Sequence, residues 1–274
     1  MSIRGAPAGL FYRKEQFMKL AIAGKGGVGK TTLAALLAYI YAGQGQTVIA
    51  IDADPAASLA NALGLPPEVA AQAQPIAEMD ALIEERTGAK PGTVGGYFKM
   101  NPRVDDVPER FSVTHRGIKM LRLGSIRGGG VGCICPESAM LKALVTHLVL
   151  YQNETLIMDM EAGLEHLGRA TAGAVDAFIA VAEPGRRSLD TAQRIQQLAA
   201  EIGVKTVYLV GNKIHDDKEL EFVQSGSDGL KYIGYLPFDE AAGDADRRGI
   251  AVYDAAPRLA EAAREIAAKL VKEG

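Results

Sequence analysis

Nine consecutive residues constrain this chain more than any other feature. The run Gly24-Lys25-Gly26-Gly27-Val28-Gly29-Lys30-Thr31-Thr32 follows an apolar stretch at 19–23 and opens a helical stretch at 32–43. In the order strand, glycine turn, helix, such a run presents the unpaired N–H groups and positive dipole end of the helix to whatever the turn encloses. Two patterns fit. Gly24, Gly26 and Gly29 satisfy G-x-G-x-x-G, with Asp52 ending the next apolar stretch 23 residues beyond Gly29, as a dinucleotide site requires. Gly24, Gly29, Lys30 and Thr31 satisfy G-x4-G-K-[ST], the P-loop. Lys30-Thr31 decides for the second, because a dinucleotide pyrophosphate uses neither an ammonium nor a hydroxyl there. A nucleoside triphosphate uses both. Backbone around Gly26, Gly27, Val28, Gly29 and Thr32 cradles ATP phosphates, Lys30 reaches the β- and γ-oxygens, and Thr31 ligates Mg2+.

The rest of the chain reads as a matching scaffold. Near-continuous apolar runs at 19–23, 47–52, 118–124, 155–159, 177–182, 206–211 and 232–236 alternate with helical periods at 32–43, 76–87, 136–151, 187–202 and 257–272. Strands without polar alternation are covered on both faces, which predicts an α/β P-loop nucleoside triphosphatase with a mostly parallel central sheet and helices on both sides. One domain over 18–274 is expected, with 1–17 an extension or loose tail and an excursion at about 66–116. The 88–116 part of that excursion, with Pro91, Pro102 and Pro108, has no strong period. The balance of 30 basic against 33 acidic residues gives no basic excess for a nucleic-acid partner. No stretch approaches the roughly 18 apolar residues of a membrane span. The start of the chain makes a poor signal peptide, and its two cysteines, one residue apart, suit no secreted disulfide scaffold, so a cytoplasmic protein is expected.

Two carboxylate clusters end predicted strands. They are Asp52-Ala53-Asp54-Pro55 and Asp159 within Ile157-Met158-Asp159-Met160-Glu161-Ala162-Gly163. Acids at the carboxyl ends of parallel strands lie in the ligand crevice of an open α/β sheet. Lys25, one residue after the first glycine, departs from the ordinary P-loop. In this form the chain resembles the dimeric ATPases that include MinD, ParA and the nitrogenase iron protein. The resemblance implies that Lys25 reaches across a homodimer to the partner's nucleotide and is catalytic in the manner of an arginine finger. It implies too that Asp54 positions or deprotonates the attacking water, that Asp52 contacts the magnesium shell, and that Asp159 holds the Walker B position. Asn212-Lys213 and Pro237, each after a late strand, resemble the adenine-binding ends of these ATPases.

The second unusual passage is Gly128-Gly129-Gly130-Val131-Gly132-Cys133-Ile134-Cys135-Pro136-Glu137. Pro136 suits a first helical turn, and a helix N-terminus favours thiolate, the metal-binding form. Two thiolates leave a four-ligand site half built, whereas a symmetric dimer completes a four-sulfur site for Zn2+, Ni2+ or an iron–sulfur cluster. Spacing alone leaves metal binding and two inert small residues as alternatives.

With Met158-Asp159-Met160-Glu161-Ala162-Gly163-Leu164-Glu165-His166-Leu167-Gly168-Arg169 following, the cysteine unit resembles the CooC-type CO dehydrogenase nickel-insertion ATPases. Passages at 85–92 and 104–113 and Glu183-Pro184-Gly185-Arg186-Arg187-Ser188 carry the same resemblance, which runs from Met18 nearly to the C-terminus. It implies a nucleotide-switched homodimer that binds nickel and helps load CO dehydrogenase, its client. An iron–sulfur electron carrier like the nitrogenase iron protein is the nearest rival, but its cluster cysteines are far apart in sequence and its switch carries an aspartate where this chain has Ser58. A membrane-positioning protein like MinD needs bulky apolar anchors on its last helix, whereas Leu259, Ala263, Ile266 and Leu270 form a thin stripe suited to packing on a sheet. His115, His147 and His215 read as surface or packing residues, and His166 as at most a nucleotide sensor.

Overall fold

Apolar runs with no polar alternation need cover on both faces, and the strands have it. The protein's structure, a computed structural model, describes residues 17–92, 97–124, 135–151, 154–161, 174–204 and 206–273. The strands are β1 (Lys19–Gly24), β2 (Val48–Ala53), β3 (Val113–His115), β4 (Ile118–Arg122), β5 (Thr155–Met160), β6 (Ala177–Ala182), β7 (Val207–Ile214) and β8 (Lys231–Pro237). They form one sheet in the order β3-β4-β2-β5-β1-β6-β7-β8, with every pair parallel except β3 with β4. β1 lies inside the sheet between β5 and β6. Leu20 and Ile22 enter the core on one face, Ala21 and Ala23 the core on the other.

The four longest described helices are α1 (Lys30–Gly43), α2 (Pro136–Tyr151), α3 (Arg186–Glu201) and α4 (Pro257–Glu273). α1 is buried along nearly its whole length because the sheet covers one side and α4 the other. An alanine-rich helix such as this permits close approach on both sides. Leu259, Ala263, Ile266 and Leu270 of α4 are all buried in the α1-side core, so that stripe packs on the sheet as its thinness predicts. α2 and α3 cover the opposite face with Leu141, Leu144 and Leu148 and with Leu189 and Ile195. Among the described residues, no helix is long and apolar enough to cross a membrane.

The structure departs from the sequence reading around the excursion. The single helix expected at 76–87 divides into a 3-10 turn, Ile76–Glu78, and a helix, Asp80–Thr87. Ala77 N–H donates to Leu123 O at 2.9 Å, which ties the turn to the end of β4 and breaks the helical ladder at Met79. The stretch expected to lack structure carries a helix, Val107–Phe111, and the edge strand β3. A two-residue hairpin, Arg116-Gly117, joins β3 to β4 with both residues at positive φ. Arg116 is held there by Asp254, at 2.5 and 3.1 Å, and lies over the Tyr39 ring at 4.5 Å. Two short helices not foreseen, Asp217–Ser225 and Glu240–Arg248, flank β8.

Candidate functional site

The carboxyl ends of β1, β2 and β5 lie side by side, and this adjacency builds the site. Asp52 on β2 and Asp159 on β5 are register partners, and Ile22 of β1 stands opposite Asp159. Beyond β1 the glycine loop turns into α1, with Gly27 and Gly29 at φ 80° and 91°. The loop bounds a cleft of about 550 Å³, shared with Lys30, Thr31, Asp54, Ser58 and Glu161.

Within that cleft the charges pair. Lys30 Nζ lies 3.5 Å from Asp54 Oδ2, and their side chains are only 5% and 11% exposed. Thr31 Oγ1 donates to Asp159 Oδ2 at 2.6 Å and lies 3.2 Å from Ser58 Oγ. Asp52 instead shapes the loop that holds Asp54: its carboxylate accepts the N–H of Asp54 at 3.3 Å and of Leu59 at 3.1 Å. It borders a different cavity, on the far side of that loop. Lys25 and Gly26 are exposed, and Thr32 is half-buried at the start of α1.

Burial pushes the Asp159 carboxyl up to about 7; the Thr31 hydrogen bond opposes this, the Asp52 charge adds to it, and Lys30 opposes it. Burial likewise pushes Asp52 to about 6, against its two backbone donors. Both carboxyls ionise near 3.8 outside the fold, so the folded protein binds more protons than the unfolded chain up to about pH 7. Stability of the nucleotide-free protein therefore falls as pH rises through that window. Thermal melts between about pH 5 and 8 should show a declining melting temperature, and Asp159→Asn should flatten the decline. An unchanged slope in that variant would remove Asp159 from the titration.

Asp159 Oδ1 is buried and has no hydrogen-bond partner among the described residues. With the Thr31 hydroxyl beside it, the donor set is hard oxygen only, which fits Mg2+. Among the described residues, no group of three or more His, Cys, Asp or Glu is placed to hold a metal. Mg2+ needs no such cage, since it is held by one or two protein oxygens plus phosphates and water.

From β7, Asn212 Nδ2 donates to Val28 O at 2.6 Å and Lys213 Nζ to Gly27 O at 2.7 Å. Pro237 pairs with Ile214 at the end of β8 and borders a separate groove of about 510 Å³. Cys135, buried just before α2, accepts the N–H of Ser138 on its Sγ at 3.4 Å, so the sulfur lies at a helix N-terminus. Glu137, also buried, accepts the Gly92 N–H at 2.9 Å and so ties the excursion to the cysteine helix. Cys133 and His166 lie outside the described residues. His215 stacks on Phe238 at 4.4 Å with Nδ1 2.9 Å from Glu219, and His147 packs against Tyr151, as packing residues would. Ala56, Ser58 and Glu161 also line the cleft without a role expected from the sequence, Ser58 entering there only as a departure from aspartate.

Comparison with known proteins agrees with this geometry. The family model for the CobQ/CobB/MinD/ParA nucleotide binding domain matches residues 19–252. The carbon monoxide dehydrogenase accessory protein CooC of Rhodospirillum rubrum is 44% identical over 255 residues, 93% of this chain and 97% of that protein. An uncharacterised ATP-binding protein of Methanocaldococcus jannaschii is 44% identical over 225 residues, 81% of this chain and 86% of its own length. Among solved structures, MinD in the MinC:MinD cell division complex of Aquifex aeolicus superposes with a TM-score of 0.67 at 21% identity, covering 93% of this chain and 96% of that one. A ParA family ATPase from Chlorobium tepidum gives 0.65 at 16% identity, covering 93% and 98%. At those identities the structures establish the fold alone. With the glycine loop, Lys30 and the paired Thr31 and Asp159 oxygens in place, the chain is an ATPase that belongs to the CobQ/CobB/MinD/ParA nucleotide-binding family and, within it, to the group of the CooC accessory proteins.

Proposed function

We propose that this ATPase works as a homodimer that carries nickel and uses its nucleotide cycle to help load a CO dehydrogenase. The observation that carries the reading is the 44% identity across nearly the whole length of a carbon monoxide dehydrogenase accessory protein. The Cys133-Ile134-Cys135 unit supports it. One chain offers two thiols, so a four-sulfur site needs two chains, and nickel or zinc then bridges them as cargo. The free thiol of Cys135 suits a cytoplasmic setting.

The cleft suggests how the cycle runs. Lys30, paired with Asp54 at 3.5 Å, turns to the β- and γ-phosphates when ATP enters. Asp54 is thereby released from its cation at the edge of the γ-phosphate position, where it orients the attacking water. Thr31 and Asp159 would hold Mg2+, which when bound would supply positive charge against that developing on the phosphates. Lys25, exposed at the mouth of the loop, is free to reach a second chain's nucleotide. Turnover therefore follows dimerisation. Asp54→Ala should lower turnover by about 100-fold or more while ATP affinity holds or rises, because Lys30 loses its competing partner. Nucleotide titration beside phosphate release checks this, and normal turnover would remove Asp54 from the mechanism.

The function itself is tested by reconstitution of nickel-free CO dehydrogenase under limiting Ni2+. Activation should be faster with this chain and Mg-ATP than with either omitted. Equal activation in all three cases overturns the reading.

A further inference from the structure

We infer that Asn212 and Lys213 are positioning residues for the phosphate loop, a clamp that holds two of its carbonyls and so aims the Gly29 N–H at the triphosphate irrespective of the base attached. The inference rests on the ATPase activity and is independent of nickel and of the client. Both side chains bind consecutive carbonyls of the loop, Lys213 that of Gly27 at 2.7 Å and Asn212 that of Val28 at 2.6 Å. The peptide joining Gly27 to Val28 is tied at its other edge too, since Val28 N–H donates to Lys25 O at 3.3 Å. In the next peptide the carbonyl is drawn to Asn212, so the trans geometry sends the Gly29 N–H the opposite way. Gly29 itself lines the nucleotide cleft.

Three local features serve this contact. First, consecutive residues of a strand face opposite sides of a sheet. Asn212 and Lys213 nevertheless reach one loop, because Lys213 adopts a left-handed backbone, φ 57°, and the pairing with β8 shifts register between Gly211 and Ile214. Second, the Lys213 N–H donates to Asn212 Oδ1 at 2.8 Å, which turns the amide so that its nitrogen faces Val28. Third, a Cβ on Gly29 would lie 2.0 Å from Asn212 Nδ2, so the loop tolerates only glycine where the amide enters. Glu183, at the end of β6, stands 3.5 Å from Lys213 Nζ and keeps the ammonium over the loop. The clamp thus joins the carboxyl ends of β6 and β7 to the loop that follows β1.

A residue that reads adenine and a residue that aims the loop differ in what they do to a ligand without a base. The test measures the affinities of the full chain for Mg-ATP, Mg-GTP and Mg-tripolyphosphate. Lys213→Met is expected to weaken all three by about the same factor, on the order of ten-fold. Lys213→Gly, which relaxes the left-handed backbone but also removes the ammonium, should lose as much. Asn212→Ala should show the same uniform loss and replaces the Lys213 variants if those fail to fold. Loss confined to ATP, with tripolyphosphate binding unchanged, makes these residues base readers and overturns the clamp. So does wild-type affinity in Lys213→Gly, which leaves the role with the backbone, or unchanged affinity for all three ligands in Lys213→Met and Asn212→Ala.

Discussion

Lys30→Ala is expected to abolish nucleotide binding, lowering affinity by at least about 100-fold, whereas Lys25→Ala spares most binding and stops hydrolysis. The two lysines stand five residues apart in one loop, but their surroundings differ. Lys30 is 5% exposed, sits in the first turn of α1 and pairs with Asp54 at 3.5 Å. Its removal leaves the half-buried Asp54 facing incoming phosphates without its paired cation, so like-charge repulsion adds to the lost attraction. Lys25 is exposed at the loop's outer edge, and its carbonyl serves the turn whatever its side chain does. Removing its ammonium leaves the cradle intact and deletes only charge that a second chain would receive. Equilibrium binding of a fluorescent ATP analogue, measured beside steady-state phosphate release, separates the roles. Equal losses of affinity in both variants would refute the division.

The second large effect concerns the thiols. If Cys133 and Cys135 form half of an interfacial site, wild-type protein should bind about one Ni2+ or Zn2+ per dimer and should shift from monomer toward dimer as metal is added without nucleotide. Cys135 lies at the N-terminal end of α2 with its Sγ accepting the Ser138 N–H, and it is as thiolate that a cysteine binds metal. Cys135→Ser or Cys133→Ser should remove the metal-driven shift and leave ATP binding nearly intact, because the loop after β1 is a separate structure. Sedimentation during metal titration reads both. One metal per dimer with similar affinity in the double serine variant would take the thiolates out of the site and nickel out of the function.

The sheet and the phosphate cradle were legible for the same reason: each depends on local pattern. Continuous apolar runs identify strands buried on both faces, and glycines at fixed offsets from Lys30-Thr31 leave few other uses for the loop. What escaped depends on contacts distant in sequence. The helices Asp217–Ser225 and Glu240–Arg248 bury one residue each, Val223 and Ala245, too little for an apolar period to register. The break at Met79 comes from a bond to Leu123 on another element. Asn212 and Lys213 were singled out by resemblance to adenine-binding ends, but their contacts to Val28 and Gly27 span 184 and 186 residues and require a left-handed lysine. No spacing rule carries that conformation.

The two margins of the sheet bear on how copies of this chain assemble. β3 is three residues long and runs against its neighbour, which closes one margin almost as soon as it forms. β8 forms the other, and it begins with an exposed lysine, Lys231, and departs twice from regular pairing with β7. An interrupted, charged border is a poor template for a further strand. Growth by strand addition, which would string copies into an open filament, is thereby disfavoured. The homodimer proposed above would instead meet face to face across the end of the sheet that carries the cleft, where a two-fold axis would close the assembly at two and each chain's exposed Lys25 would serve the other.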